Sequence, residues 1–206
     1  MIAVIDYGVG NLFSLTASLK YLGADVKVTS EKEEIEAADR IILPGVGAFA
    51  DAKEKLDQTG LVETILEQTA DGKPLLGICL GMQLLFDESH EYGVHKGLGL
   101  IKGKIASIDE DLKKAGIAGL KVPHIGWNSL QFEKDEPLFR YNKPGDYVYY
   151  VHSFYGTDCE ESIIATSEYG VTITGAVRSG KVYGTQFHPE KSGEAGLKML
   201  KAFMEV

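Results

Sequence analysis

The chain has 206 residues, 44% of them apolar and 25% charged, with a formal net charge of −9. That length suits one substantial hydrophobic core and is short for two. The acidic balance speaks against a general nucleic-acid role, because a phosphate backbone is repelled overall, and no apolar run approaches the roughly 20 residues needed to span a bilayer. Two cysteines, Cys79 and Cys159, supply neither a disulfide framework nor a metal-ligand cluster. Met1 leads directly into an apolar strand with no signal-like opening. The expectation is a cytoplasmic protein, bound to neither nucleic acid nor membrane, that calls for no metal and no cofactor.

In chain order, Ile2 to Asp6 reads as a strand, Asn11 to Leu22 as a helix, Asp25 to Thr29 as a strand and Glu31 to Ala37 as a short helix. Arg40 to Leu43 is the next strand. Ala48 to Ala70 is helical with a break near Gly60, and Pro74 to Ile78 is a continuous apolar strand suited to burial on both faces. This alternation predicts an α/β fold with a mostly parallel central sheet and helices on both faces. From about Gly99 the pattern turns to short β runs: Lys121 to Leu130, Tyr147 to Tyr155, Ser162 to Glu168, Thr172 to Arg178 and Lys181 to Phe187. A helix from Gly193 to Met204 follows them. With no linker, repeat or low-complexity tract, residues 1–206 read as a single domain whose second half adds an antiparallel β portion to the same core.

Chemistry concentrates at Cys79. It lies where the apolar strand meets what reads as an amphipathic helix, with Gly77 and Gly81 two residues away on either side. A sharp strand-to-helix turn needs small residues at both places, and G-x-C-x-G is the thiol version of the hydrolase nucleophile elbow. The sulfur then faces unsatisfied amides at a helix start, which favour a thiolate, and the Leu80 N–H becomes an oxyanion donor.

A nucleophile needs a base, and Gly184-Thr185-Gln186-Phe187-His188-Pro189-Glu190 offers one. Pro189 biases His188 toward extended geometry, so that Glu190 can point the same way and orient the imidazole. The Pro44-Gly45-Val46-Gly47 turn ends a strand of the same sheet and therefore opens on the same rim, a second oxyanion donor and substrate clamp. The Asp6-Tyr7-Gly8-Val9-Gly10-Asn11 loop hints at a dinucleotide site, but Phe13 stands where the third glycine belongs, and a Rossmann cofactor is rejected. Cys159, in the polar and acidic run Thr-Asp-Cys-Glu-Glu, reads as a bystander.

Gly77-Ile78-Cys79-Leu80-Gly81-Met82-Gln83 together with His188-Pro189-Glu190 resembles the class I glutamine amidotransferases, whose flavodoxin-like sheet fits the predicted alternation. Further motifs are Ile5 to Asn11, Leu43 to Gly47, His124-Ile125-Gly126-Trp127-Asn128 and Tyr150-Val151-His152-Ser153-Phe154. These are similar to the branch of that family that serves as glutaminase subunits of imidazole glycerol phosphate synthases, and the likeness covers essentially the whole chain. The resemblance implies a Cys79, His188, Glu190 triad that hydrolyses L-glutamine to glutamate and ammonia, with oxyanion donors at Leu80 and at Val46 or Gly47. It also implies glutamine contacts from Gly45, Gly47, Gln83, Glu91, Ser153 and Phe154. On the residues alone, Gln83 is equally a surface polar group, and Glu91 is more often a solvated loop acid than a ligand.

Free ammonia is useful only before water protonates or dilutes it, so a partner is expected. The resemblance supplies a (β/α)8 cyclase subunit, bound as a heterodimer, that makes imidazole glycerol phosphate and aminoimidazole carboxamide ribotide in histidine biosynthesis. It places Tyr7, Gly8, Asn11, Trp127 and Asn128 at or near that interface, although Trp127 also suits plain core. Glutaminase subunits of pyridoxal phosphate, anthranilate or purine synthesis, a γ-glutamyl cysteine hydrolase and a non-catalytic binding module remain as alternatives.

Overall fold

A central sheet of eight strands organises the computed structural model, which describes residues 1–206. Its first half consists of β1 (Ile2–Ile5), α1 (Leu12–Tyr21), β2 (Val26–Thr29), α2 (Lys32–Ala37), β3 (Arg40–Gly45), α3 (Phe49–Gln58), α4 (Leu61–Ala70), β4 (Leu75–Cys79) and α5 (Leu80–Leu84). There follow β5 (Phe86–Ser89), β6 (His95–Lys96), β7 (Ile101–Ser107), α6 (Ile108–Lys114), β8 (His124–Ser129), β9 (Gln131–Phe132), β10 (Tyr147–His152) and β11 (Phe154–Thr157). The last elements are β12 (Ile163–Tyr169), β13 (Val171–Ser179), β14 (Val182–Thr185) and α7 (Gly193–Phe203). No helix is long and apolar enough to cross a membrane.

The central sheet runs in the order β2, β1, β3, β4, β14, β13, β12, β9. β14 pairs parallel with β4 on one side and antiparallel with β13 on the other, so it joins the parallel half of the sheet to the antiparallel half. The apolar alternation explains why both faces are covered. Along β1, Ile2 and Val4 enter a cluster with Leu15 and Leu19 of α1 and Met199, Leu200 and Phe203 of α7. Ala3 and Ile5 point the other way, into a cluster with Ile35, Phe49, Leu56 and Ile65 of α2, α3 and α4. Each such large side chain, once fully buried, contributes about 1.5–3 kcal/mol. Asn11 starts α1 by accepting the Ser14 N–H on its side chain. Gly60, at φ 72°, makes the left-handed break between α3 and α4.

Four differences from the sequence reading concern the site. β3 runs on through Pro44 and Gly45, which pair with Ile78 and Cys79 of β4, whereas its pairing with β1 ends at Ile42. Pro44 is tolerated there because no strand on its other side needs its missing N–H. The run from Tyr147 to Tyr155 is broken at Ser153: β10 pairs with β8, and β11 crosses to a four-stranded second sheet ordered β11, β7, β5, β6. Strands β5 to β7 were not anticipated, β5 and β6 being short and β7 weakly alternating, nor was α6, which Ser107 caps through the Glu110 N–H. Finally, α5 is not amphipathic: its five residues are all buried, because it packs at once against β3, β4 and β14 of the central sheet, α3 and β5.

Candidate active site

Cys79 ends β4 at φ 55° and ψ −112°, a conformation rare for a residue with a side chain. Such strain costs on the order of 1–3 kcal/mol and persists only where the surroundings over-determine it. Here the flanking glycines do so. A Cβ on Gly77 would lie 2.7 Å from the Gly81 carbonyl oxygen, and one on Gly81 would lie 1.9 Å from the Leu43 oxygen. The glycines therefore relieve crowding between the backbone of α5 and strands β3 and β4, not crowding around the sulfur itself.

β14 lies beside β4, with Thr185 opposite Ile78, and carries the chain to His188. Nδ1 of His188 donates to Glu190 Oε1 at 2.8 Å, and both side chains are almost wholly buried. A 3₁₀ turn over Pro189–Lys191 returns Glu190 beneath the ring, and the Ser192 hydroxyl closes the turn by donating to the His188 carbonyl at 2.6 Å. The other ring nitrogen, Nε2, is buried with no hydrogen-bond partner. Burial works against a charged imidazole, but the Cys79 sulfur and the Glu190 carboxylate outweigh it, and the His188 pKa is pushed up to about 9. That shift favours the ring form that carries both protons.

Cys79 and His188 open on one cavity of about 320 Å³, at the small end of the range for small-molecule sites. Val46, Gly47, Leu80, Gln83, Glu91, Ser153 and Phe154 line it too. Gly47 adopts φ 98°, which only glycine takes without strain. Glu91 is buried and not a solvated acid: one oxygen accepts the Phe49 N–H at the start of α3 at 2.6 Å. Its burial raises its pKa, with the Phe49 bond opposing that rise. Gln83 is likewise buried and not a surface polar residue; its Nε2 donates to the Phe154 carbonyl at 3.0 Å and to Gln186 Oε1 at 3.1 Å.

Several expectations are corrected. Gly45 does not line the cavity; a Cβ there would lie 2.6 Å from the Gly81 nitrogen, so it is the point where β3 touches the elbow. Tyr7, expected at an outer interface, is 4% exposed, and its hydroxyl donates to the Pro44 carbonyl at 2.7 Å. Burial, with the Cys79 charge behind it, raises the Tyr7 pKa. Gly8 is exposed and Asn11 is half-buried at its cap. Trp127 is 55% exposed on the β8–β10 ribbon, edge-on to Tyr149, and is not core. Asn128 donates to the Glu168 carbonyl at 2.9 Å and sits 3.3 Å from His124 Nε2. Cys159 lies in an acidic segment as read, yet it is buried.

Sequence reasoning also passed over residues at the site. Tyr92, 90% exposed, stands on the rim edge-on to Phe154. His152 lines the wall, and Gln186 lies behind the sulfur. A signal existed for Gln186: it stands two residues before His188 in an apolar extended run, where a buried polar side chain needs a reason.

The fold and this cavity define an amidotransferase. The chain belongs to the glutamine amidotransferase class-I family, whose profile matches residues 3–206. It is 48% identical over 206 residues to the imidazole glycerol phosphate synthase subunit HisH of Listeria monocytogenes serotype 4b (strain CLIP80459), covering 100% of this chain and 96% of that one. The subunit of the same name from Caldanaerobacter subterraneus subsp. tengcongensis is 49% identical over 207 residues, covering 100% of this chain and 98% of that one. A solved structure of PurLQS from Thermotoga maritima matches with a TM-score of 0.76 at 20% identity, over 99% of this chain and 97% of that one. That last likeness speaks for the fold alone.

Proposed function

We propose that this chain is the glutaminase subunit of an imidazole glycerol phosphate synthase. On this reading it is a single domain that releases ammonia from L-glutamine and passes it to a (β/α)8 cyclase subunit. The observation that carries the chemistry is the geometry of His188: its Nδ1 is anchored on Glu190 and its Nε2 is unpartnered in the cavity that holds Cys79. The identity near one half with HisH subunits along the full chain carries the choice of synthase.

The Cys79 thiolate attacks the side-chain carbonyl carbon of glutamine, and the oxygen takes up the negative charge. N–H groups of Leu80 and of the Val46–Gly47 turn hold that oxygen. Imidazolium His188 gives its Nε2 proton to the amide nitrogen, the C–N bond breaks, and ammonia leaves a glutamyl thioester on Cys79. Neutral His188 then takes a proton from water, hydroxide adds to the thioester carbon, and the C–S bond breaks to give glutamate and the thiolate. Glu91 pairs with the substrate ammonium, whose charge offsets the burial that raises the carboxyl pKa. Gln83 offers its carbonyl oxygen, because its nitrogen is already committed to Phe154 and Gln186. Ser153 and Phe154 border the bound glutamine. The exposed Trp127 and the loop around Gly8 face the cyclase, with Asn128 and Asn11 behind them.

The test mixes the chain with an imidazole glycerol phosphate synthase cyclase subunit, glutamine and the phosphoribulosyl formimino substrate, and follows glutamate and imidazole glycerol phosphate together. Matched formation of both, lost in Cys79→Ala, is expected. Glutamate without imidazole glycerol phosphate would point to another synthase, and equal glutamate from wild type and Cys79→Ala would overturn the nucleophile.

A further inference from the structure

Gln186 is fully buried, a costly place for a primary amide unless its groups are partnered. Its orientation follows from its neighbours. The Phe154 carbonyl can only accept, so the Gln83 nitrogen that lies 3.0 Å from it is the donor and the Gln83 amide has one possible orientation. The same nitrogen lies 3.1 Å from Gln186 Oε1 and donates to it. The Gln186 nitrogen is thereby turned the opposite way, 3.8 Å from Cys79 Sγ, within reach of an N–H to sulfur hydrogen bond.

The acceptor on which this orientation depends is held from a second side. His152 Nδ1 donates to the Phe154 oxygen at 2.8 Å, and His152 Nε2 then accepts from His124 Nδ1 at 2.9 Å. Burial keeps both imidazoles neutral, with pKa values down to about 3 for His152 and about 4 for His124. The chain of bonds therefore has one direction only.

Two groups now compete for the sulfur. The Val151 carbonyl, 4.0 Å away, is an acceptor that a thiol can use and a thiolate cannot. The Gln186 N–H is a donor, and a donor favours the charged sulfur over the neutral one. We propose that Gln186 is a fixed donor to the Cys79 sulfur, aimed by Gln83, that holds negative charge there before attack and again when the sulfur leaves the thioester. This deepens the glutaminase reading and rests on Cys79 being its nucleophile. It assigns to Gln186 a role separate from the oxyanion donors, because it acts on sulfur and not on the substrate oxygen.

The experiment follows iodoacetamide alkylation of Cys79 against pH in a Cys159→Ala background, for the chain with Gln186 and for Gln186→Met and Gln186→Glu. Methionine keeps the volume and removes the donor. Its alkylation midpoint is expected to rise by about one unit, with rates about threefold lower below both midpoints and about threefold higher above them, because the more basic thiolate is also the better nucleophile. A merely structural role would lower the rate at every pH. Glutamate at this position still accepts from Gln83 but sets a carboxyl against the sulfur, so Gln186→Glu is expected to shift the midpoint further upward. Being isosteric, it keeps the test available should the methionine variant not fold. Superimposable profiles, or a downward shift in Gln186→Glu, would overturn the proposal. Alkylation does not involve glutamine, so the two readings separate: shifted profiles in a chain that makes no glutamate leave the donor in place and remove the glutaminase. Unshifted profiles in an active glutaminase do the reverse.

Discussion

Cys79 and Cys159 are both buried thiols in one small fold, and their surroundings set them to opposite tasks. Cys159 has its burial, which pushes its pKa up to about 11, a weak contact with the Thr174 hydroxyl at 3.9 Å, and the negative charges of Glu160 and Asp158 nearby. Only the Thr174 contact favours a thiolate there, and burial with the two carboxylates outweighs it. Cys79 sits on a strained turn, with an imidazole biased toward its protonated form in its cavity and an amide N–H behind it. Burial alone makes a thiol inert; burial with donors and a positive charge makes a nucleophile.

The largest test of this contrast exchanges each sulfur in turn. Cys79→Ala is expected to lower partner-stimulated glutaminase turnover by at least about 10⁴-fold, whereas Cys159→Ala leaves it within about twofold; comparable losses would erase the distinction. Next comes the imidazole. Glu190→Gln keeps the shape but removes the charge that helps hold His188 protonated, and turnover is expected to fall by about 10³-fold with little change in KM, read from steady-state kinetics. Glu91→Gln acts on substrate, not sulfur: KM for glutamine should rise about 30-fold or more while the alkylation of Cys79 by iodoacetamide is unchanged. In a Cys79→Ala chain, Cys159 should resist alkylation at neutral pH and label only as the pH approaches about 11, as mass spectrometry would show.

The smallest effect lies in stability against pH. His124 and His152 are held neutral, so as pH falls below about 6.5 the unfolded chain binds protons that the native chain refuses. Their contribution is full above that pH and is lost as pH drops through about 4 and about 3. His188 behaves oppositely, contributing fully below about 6.5 and losing its contribution as pH rises through about 9. Melting temperatures measured from pH 4 to 9 should therefore fall at both ends, and a His124→Gln/His152→Gln chain should show a flatter acid limb than wild type.

What the sequence reveals of the site follows from how local each feature is. The elbow is legible because Gly77, Cys79 and Gly81 carry its geometry within five positions, and the base because His188, Pro189 and Glu190 lie side by side. The parallel half of the sheet is legible because its strands are buried on both faces and run as unbroken apolar segments. Tyr7 is not, because its hydroxyl meets the Pro44 carbonyl across the sheet. Glu91 is not, because only the fold brings it to the Phe49 N–H. Strands β5 to β7 depend on one another and on β11 for their pairing, and their own residues alternate too weakly to announce them.

The position of β14 has a consequence for when the site can exist during synthesis. The ribosome makes the parallel strands and the nucleophile long before Val182, and β13, β12 and β9 also precede it. Until Val182–Thr185 slides between β4 and β13, the two half-sheets have no seam, and Cys79 has no imidazole beside it. A chain that stops short of β14 thus holds the nucleophile without its base, and the strand that joins the two half-sheets is also the one that delivers His188 to Cys79.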